Sequence, residues 1–512
     1  MDSLKKRFVY KVVGAVFSAA SGGVFHSLVL RTLGPAGYGS FNFLNAFFIQ
    51  VRTFLDMGTG NGFYTKLSKR PQEIELVVFY FIFIGASCLA ILGLTLLACA
   101  SPFSGFIWPG QQVRHIIMAA GVGALTWISS VLYSRTDAYG LTVQAEIVGG
   151  IQKTGGLVLI VLMVFTHQLT LTSFFGFWYV LTIFAITCFL GINARHGHPL
   201  PANLRLSPAK FKSYASEFYH YSHPLAAYGV VAFITSMLGR WLLQHFSGSV
   251  EQGYFGLSYQ ISTLCVLGVT AMTPLLMREF SILHQRVNIP EMASLFSKYI
   301  PMIYSLTAYF ACFIALQADI IVRILGGSGY SEASTVMMLM SLSSIHQTYD
   351  MLGGSVFLAT GRTGLYRNIG ISTMLAGLVM NYFLLAPASA GGLHLGATGL
   401  AVTTLVIKFV GVNIQLYLNT KFLGLPFRRY LGHQIVSVAA LLALAYLSRS
   451  LANVLIGPDG PLWLAGFVLS GIFYSAAVGA IALVWPKIFG LKPGQFASTI
   501  RGLGAKFEGA AG

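Results

Sequence analysis

Long apolar runs alternate with short polar turns along the whole chain. Each run can form a helix of about 20 residues, which is the length needed to cross the hydrocarbon core of a bilayer. Because the polar turns mark where each run stops, they also set the boundaries of the predicted helices. We predict fourteen membrane-spanning helices, at residues 9–32, 41–65, 75–101, 113–136, 142–166, 169–193, 219–243, 253–278, 296–318, 333–359, 366–388, 394–419, 430–453 and 461–485.

The positions of Lys and Arg between these runs fix the orientation. If the N-terminus is cytoplasmic and most residues at span ends are counted with the adjacent side, 24 of the 32 Lys and Arg residues fall on the cytoplasmic side and 4 on the outer side, which leaves Arg52, Lys153, Arg240 and Lys408 within spans. Short cytoplasmic loops of membrane proteins carry such an excess of positive charge. A wrong number of spans would mix the two sides, so the pattern predicts an even number with both termini in the cytoplasm.

A weak internal repeat divides the spans into two sets of six. Gly37-Tyr38 in the outer turn after the first span matches Gly253-Tyr254 after the seventh, at an offset of 216 residues. Six spans separate the copies, so both copies face the same way, as in transporters with parallel repeats. We predict two six-helix lobes around a central cavity, plus two C-terminal helices. The predicted parts are an N-terminal lobe at 1–193, a linker at 194–218, a C-terminal lobe at 219–419, and spans thirteen and fourteen with a cytoplasmic tail at 420–512.

The linker between the lobes contains a signal for a further helix. Ser207-Pro208 combines an N-cap residue with a proline at the first helical position. Lys210 and Lys212 then alternate with aromatic residues, which is typical of a helix lying in the membrane interface. We therefore predict an interfacial helix over 206–218. The last two spans lie outside the repeat, so we expect them to serve a lipid tail rather than the fold of the lobes.

Composition agrees with an all-α integral membrane protein. Charged residues make up 9% of the chain, hydrophobic residues 55%, and the mean hydropathy is +0.72, whereas a soluble domain carries about 25% charged residues. The net charge of +17 is spread over many cytoplasmic loops next to anionic lipid. It forms no basic face or motif for nucleic acid, so we expect membrane lipids and not nucleic acid as partners.

Sequence signatures of enzymes are missing. The chain has no phosphate-binding GxxxxGK[ST], no HExxH and no GxSxG. Its five cysteines lie singly in apolar runs, which indicates neither disulfides nor a zinc site. We therefore expect a non-enzyme without a cofactor or metal.

Basic residues inside predicted spans are the candidate site. A charge at mid-bilayer costs about 3 kcal/mol on insertion scales, so it normally faces a cavity or a partner. Arg52, Lys153 and Lys408 lie near mid-depth, and Arg240 lies near the outer end of span seven. Guanidinium and ammonium groups bind phosphate oxygens, so a cavity lined by them suits an anionic headgroup and repels cationic drugs.

Acidic residues inside spans are the candidates for ion coupling. They are Asp56, Glu146 and Asp350. Asp56 is four residues from Arg52, so Arg52 either pairs with it locally or faces the substrate. His346 shares a helix face with Asp350, and we expect a buried histidine satisfied by that carboxylate rather than an acid–base pair.

Three motifs resemble one family of membrane transporters. Leu30–Phe43 resembles the first outer turn of Wzx-like polysaccharide flippases, in the multidrug/oligosaccharidyl-lipid/polysaccharide exporter superfamily. Arg323–Ala333 resembles the Gly-x-x-Tyr-x-x-Ala turn before span ten of that family. Asn381, Pro387 and Gly396–Gly399 resemble its signature across spans eleven and twelve.

The resemblance implies alternating-access transport of a polyprenyl-diphosphate-linked oligosaccharide from the cytoplasmic to the periplasmic leaflet of a bacterial inner membrane. The cargo would serve exopolysaccharide, O-antigen or capsule synthesis, and a polysaccharide polymerase and export machinery are expected partners of a monomeric protein. Three alternatives stay open. They are a peptidoglycan-precursor (lipid II) flippase, a cation-coupled multidrug exporter, and a membrane glycan polymerase or acyltransferase.

Overall fold

The computed structural model describes residues 4–200, 206–457 and 462–491. These residues form helices and connecting turns, with no strand in the described ranges. The predicted tail beyond residue 491, the middle of the predicted linker and the first residue of span fourteen lie outside the described residues. The α-helices are α1 Leu4–Asp56, α2 Thr59–Lys69, α3 Ile74–Ala100, α4 Ser104–Ile107, α5 Val113–Ala138, α6 Thr142–Phe165, α7 Leu171–Arg195, α8 Pro208–Cys265, α9 Leu267–Gln285, α10 Ile289–Leu316, α11 Ala318–Gly326, α12 Ala333–Ala359, α13 Thr363–Leu385, α14 Gly396–Leu423, α15 Phe427–Ile456 and α16 Trp463–Val484.

Every predicted span coincides with helical residues, which confirms an all-helical membrane protein. Within the described ranges, nine single helices are long and apolar enough to cross a bilayer, and α8 with α9 adds a span bent by 49°. Spans one and two are the two parts of α1. Span ten is α12, which is too polar to qualify because it carries Ser341–Asp350. That helix is largely buried by its neighbours, so it does not need an apolar surface toward lipid.

The repeat appears in the structure as a pair of glycine hinges. α1 is interrupted at Gly34 (φ 66°, ψ 176°) and α8 at Gly248 (φ 78°, ψ −171°). A positive φ favours glycine, so each hinge reverses the chain without strain. The offset between the hinges is 214 residues and not the 216 predicted from the Gly-Tyr match. Glycine recurs in many turns of this chain, so the sequence alone could not decide how the two copies of the repeat align.

Five residues after each hinge, a second glycine lets two helices cross closely. A Cβ atom on Gly39 would lie 1.7 Å from the carbonyl oxygen of Ser249, and one on Gly253 would lie 2.3 Å from that of Pro35. The contacts are reciprocal, as a repeat requires. Ser249 Oγ also lies 3.0 Å from Gln111 Nε2, which donates to it, and 3.0 Å from the hydroxyl oxygen of Ser40.

The described helices pack into two compact units. One comprises Met1–Gly253 with Leu325–Gly329, and the other comprises Tyr254–Ile324 with Tyr330–Gly512. We call them the first unit and the second unit. The lobes predicted at 1–193 and 219–419 were defined by the repeat rather than by compactness, and that division stays a prediction.

In the first unit, α8 begins at Pro208 as predicted, with Ser207 Oγ accepting from Lys210 N at 3.4 Å. This segment continues without a break into span seven, so it is not a separate interfacial helix. Its first turns pack on α2 and α3. Glu217 Oε1 accepts from Lys66 Nζ at 2.5 Å and from Arg70 Nη2 at 2.7 Å. Hydrogen bonding from Lys66 lowers the pKa of the Glu217 carboxyl.

In the second unit, α15 and α16 are part of the core. Buried Gln317 donates to Ser470 Oγ at 2.7 Å, and Tyr474 donates to the carbonyl of Tyr309 at 2.9 Å. Arg449 donates to Asp319 at 2.8 Å, just beyond the end of α10. These contacts show that the last two helices also contribute to packing, whereas we expected them to serve a lipid tail rather than the fold of the lobes; a role toward the lipid tail stays a prediction. Removing them would leave buried Gln317, which follows α10, without its partner.

Candidate functional site

The predicted charged residues divide between the two units. Arg52, Asp56, Glu146, Lys153 and Arg240 belong to the first unit. Lys408 and Asp350 belong to the second.

Asp56 is the last residue of α1, where span two is interrupted. Met57 (φ 41°) and Gly58 (φ 82°) turn the chain, and α2 begins at Thr59. Asp56 Oδ1 accepts from Thr59 Oγ1 at 3.1 Å, from Gly60 N at 3.1 Å and from Tyr80 OH at 3.3 Å. The carboxylate therefore sits at the N-terminus of α2, where free backbone N–H groups stabilise a negative charge.

Arg52 lies one helical turn before Asp56 and is half-buried. Across the described ranges, its guanidinium makes no hydrogen bond and no ion pair within 4.0 Å. Asp56, Tyr80 and Cys88 are near enough to act on it electrostatically. The local pair that the spacing allowed does not form as a direct contact.

Unlike Arg52, Arg240 forms hydrogen bonds, and it connects α8 to α1. Its Nη1 donates to Asn42 Oδ1, and its carbonyl accepts from Gln252 Nε2 at 2.6 Å. The neighbouring Tyr38 is buried. These contacts give Arg240 a structural role in the first unit, and a role in binding substrate stays a prediction.

Lys153 and Glu146 lie on one face of α6. They are seven residues apart, which is about two helical turns, and Glu146 Oε1 accepts from Tyr133 OH at 3.0 Å. Both side chains are exposed. The exposed apolar side chains of α6 form a different stripe, made of Val143, Ile147, Ile151 and Val158. Lys153 therefore lies beside this apolar stripe rather than within it.

In the second unit, Lys408 and Asp350 are held by amide side chains where α12 packs on α14. Lys408 Nζ donates to Gln347 Oε1 at 2.9 Å, and Gln415 Nε2 donates to Asp350 Oδ1 at 2.9 Å. His346 does not take the carboxylate that the sequence suggested for it. Its ring packs edge-on against Phe409 at 5.1 Å instead.

Several residues that complete these sets were not predicted from the sequence. Tyr80 and Thr59 bind Asp56, while Gln347 and Gln415 bind the charges of the second unit. One signal could have found Gln347, because it is three residues before Asp350 in the same predicted span and so shares its face. Partners from other helices leave no such pattern in the sequence.

The arrangement suits binding of an anion rather than chemistry on a substrate. Guanidinium presents paired N–H donors that match the oxygens of a phosphate or diphosphate. No group of three or more His, Cys, Asp and Glu side chains that could hold a metal occurs among the residues the structure describes.

Comparisons with known proteins place the fold among transporters. No protein-family model matches the sequence, and a comparison with curated protein sequences gave no match. A solved structure of the lipid II flippase MurJ, in an inward closed conformation, is similar with a TM-score of 0.66 at 13% identity, over 93% of this chain and 99% of that chain.

Two structures of multidrug resistance MATE family transporters of the MOP superfamily are also similar. The inward-facing one has a TM-score of 0.60 at 11% identity, over 78% of this chain and 94% of that chain. The outward-facing one has a TM-score of 0.52 at 12% identity, over 80% and 93%. The chain therefore has the multi-pass helical fold of these transporters.

Proposed function

We propose that this protein is a flippase that moves a polyprenyl-diphosphate-linked oligosaccharide from the cytoplasmic to the periplasmic leaflet of a bacterial inner membrane, for polysaccharide synthesis. The observation that carries the proposal is the guanidinium of Arg52, which lies in predicted span two and has no hydrogen-bond partner in the described part of the chain. An anionic headgroup of the cargo is its ligand.

The physical reason is the cost of an unsatisfied charge in a membrane. An arginine at mid-bilayer costs about 3 kcal/mol on insertion scales, and its charge is normally compensated by a partner. Asp56 is not a direct partner, because no contact within 4.0 Å joins the two side chains in the described part of the chain. A diphosphate offers adjacent oxygens for a bidentate contact, whereas a cationic drug would be repelled.

Other basic residues are proposed to attract the headgroup along its route through the protein. Lys153, Lys408 and Arg240 supply further positive charge at other positions in the two units. Both termini are proposed to be cytoplasmic, in agreement with the distribution of Lys and Arg. Periplasm-dependent phosphatase fusions test the topology, since a fusion at residue 512 should be inactive and one near Gly248 active.

The lipid tail is proposed to run along α15 and α16. A shallow groove of about 570 Å³ on these helices is lined by apolar side chains, namely Ile456, Leu464, Ala465, Val468, Leu469 and Ile472. Apolar lining suits a polyprenyl chain, which gains nothing from polar contacts. The chain has no nucleotide-binding motif of the P-loop type, so the proposed driving force is an ion gradient, the membrane potential or removal of the product.

The test is transport per folded molecule in cells that lack their own polysaccharide flippase. Arg52→Gln should insert and fold normally but lower export about tenfold or more, because a charge-assisted hydrogen bond contributes about 1.5–3 kcal/mol. Arg52→Lys should retain part of the activity, because it keeps the charge but loses the bidentate geometry. The matched control is Arg278→Gln, which removes a charge from an exposed side chain of α9. Wild-type export by Arg52→Gln would overturn the proposal.

A lipid II flippase is the second candidate function. It is favoured by the match to MurJ, which extends over 93% of this chain where the inward-facing MATE transporter matches 78%. Lipid II also carries a diphosphate, so Arg52 would serve it in the same way. Rescue of cells depleted of their lipid II flippase, without rescue of polysaccharide export, would assign the chain to lipid II.

A further inference from the structure

One face of α6 in the first unit is polar, although the helix is long and apolar enough to cross a bilayer. Positions on this face recur every three or four residues, and they carry Thr142, Glu146, Gly149 and Lys153. The three side chains are exposed, and a Cβ atom on Gly149 would meet no neighbouring atom within 4 Å. The polar face therefore borders open space between an acid and a base.

Two exposed tyrosines and a second carboxylate lie beside this face. Tyr133 of α5 is 36% exposed and donates to Glu146 Oε1 at 3.0 Å, and Tyr64 of α2 is 39% exposed. Asp137, one helical turn after Tyr133, accepts from Thr142 Oγ1 at 2.5 Å. Both tyrosines are near enough to Asp137 to interact with it electrostatically. We call Tyr64, Tyr133, Asp137 and Glu146 the tyrosine–carboxylate cluster.

The polar and apolar surfaces of α6 are separate. Glu146 and Lys153 are exposed on one stripe, whereas the exposed apolar side chains of the helix form another. A charged side chain within a span is strongly disfavoured in hydrocarbon and normally faces a cavity or a partner. A water-soluble ligand would therefore meet the polar stripe and the cluster beside it.

The chemistry of the cluster suits a sugar. A carboxylate can accept about four hydrogen bonds, which is more than the hydroxyl groups of Tyr133 and Thr142 supply to Glu146 and Asp137. Sugar hydroxyl groups can donate the remaining bonds. Aromatic rings have an electron-rich face on which the C–H groups of a sugar ring can stack. The open space at Gly149 allows a ring to approach the helix backbone closely.

The charge of the cluster restricts which groups can bind there. Two carboxylates repel a further anion at short range, so the cluster disfavours both a diphosphate and an acidic sugar. The basic groups lie deeper in the predicted spans. Arg52 precedes Tyr64 by twelve residues in span two, and Lys153 follows Glu146 by about two turns of α6. A cargo with both parts would place its diphosphate toward the basic groups and its sugars at the cluster.

We propose that the tyrosine–carboxylate cluster binds the sugars of the cargo and selects neutral sugars over acidic ones, while the diphosphate binds deeper at Arg52. The inference rests on the proposed function, since it divides one lipid-linked cargo between two sets of residues in the first unit. It also separates the two candidate functions. The peptide of a peptidoglycan precursor carries carboxylates, which the cluster would repel, whereas a neutral oligosaccharide carries none.

The test is calorimetric binding to the purified full-length protein in detergent, with two probes that differ in one group. Both are farnesyl diphosphate diesters of a disaccharide that begins with N-acetylglucosamine, and the second sugar is glucose in one and glucuronic acid in the other. The wild type should bind the glucose probe at least about fivefold more tightly, and added salt should reduce the difference because exposed charges are screened. The double variant Asp137→Asn with Glu146→Gln should bind both probes equally, because the amides remove the charge.

A third probe separates sugar recognition from a structural role. Farnesyl methyl diphosphate has the charge of the other headgroups near neutral pH without a sugar. Tyr133→Ala should weaken binding of the glucose probe and leave binding of this probe unchanged, whereas loss of structure would weaken both. Arg52→Gln should weaken all three probes. Glu279→Gln is the matched control, since Glu279 is an exposed carboxylate of the second unit, and it should keep the preference of the wild type.

The outcomes distinguish the inference from the proposed function. Equal binding of the two disaccharide probes by the wild type, or a preference that persists in the double variant, would overturn the inference and leave the proposed function standing. Binding of tetraphenylphosphonium that depends on Asp137 and Glu146 would also overturn it, because the cluster would then be a site for cationic drugs. No binding of any diphosphate probe by the wild type would remove the proposed function and the inference together.

Discussion

In the first unit, Asp56 accepts a hydrogen bond from the backbone at the start of α2. The guanidinium of Arg52, one helical turn away, makes no hydrogen bond within the described ranges. In the second unit, Lys408 and Asp350 are each satisfied by a glutamine of the opposite helix. Both units place an acid and a base within a span, but they satisfy them in different ways. The role of a charge inside a membrane protein therefore depends on its partners and not on its depth alone.

The difference follows from the helices that carry the charges. Span two is broken at Met57 and Gly58, so free backbone donors of α2 are available to Asp56. α12 and α14 are unbroken beside Asp350 and Lys408, so side chains must satisfy these charges. The arginine of the broken helix has no hydrogen-bond partner in the described part of the chain, whereas the lysine of the unbroken pair is bonded to a glutamine.

The largest expected effect comes from breaking the glutamine contact in the second unit. Gln347→Leu removes the hydrogen-bond acceptor of Lys408 and should destabilise the protein by about 2–3 kcal/mol, the contribution of a hydrogen bond to a charged group. Chemical denaturation of the purified protein in detergent measures the change. The double variant Gln347→Leu with Lys408→Met should recover most of the loss, because no unpaired charge is left. A stable single variant would show that water satisfies Lys408.

A smaller effect is expected at the broken helix of the first unit. Asp56→Ala removes the acceptor of the α2 N-terminus and should cost about 1–2 kcal/mol, as at other helix N-termini. By the same measurement, Asp350→Asn should lower the free energy of unfolding only a little, because the amide keeps an acceptor for Gln415. Equal losses for the two variants would contradict the distinction between a carboxylate that caps a helix and one that is held by a glutamine.

The smallest effect is expected on the aqueous side, where α8 begins. Glu217 has a lowered pKa because Lys66 and Arg70 bind it, so its contribution to stability is present above the pKa of the unfolded chain. That contribution is lost as the pH falls through the lowered pKa of the folded state. Glu217→Gln should remove this acid-dependent part and change stability by less than about 1 kcal/mol, since the pairs are partly exposed. A larger loss at neutral pH would make these pairs essential to the first unit.

Much of the fold was predictable, because it depends on local pattern. The fourteen apolar runs correspond to helical residues, and the start of α8 at Ser207-Pro208 was found from its capping signal. Less of the site was predictable. Arg52, Lys153, Lys408 and Arg240 stand out as charges in spans, but their surroundings differ. Arg240 contacts Asn42, which is 198 residues away in the chain, and no local signal identifies such a partner.

The sequence by itself determined that the chain is an all-helical membrane protein, since the length and polarity of each run decide whether it can lie in a bilayer. It also determined the expected orientation and the few residues that carry charge into the spans. The tertiary structure alone decided how those charges are satisfied. It showed that Asp56 binds the helix after the break, that glutamines hold Lys408 and Asp350, and that α15 and α16 belong to the core of the second unit. Hydrogen bonds between helices depend on which faces meet, and that is fixed by packing over the whole unit rather than by any local stretch of sequence.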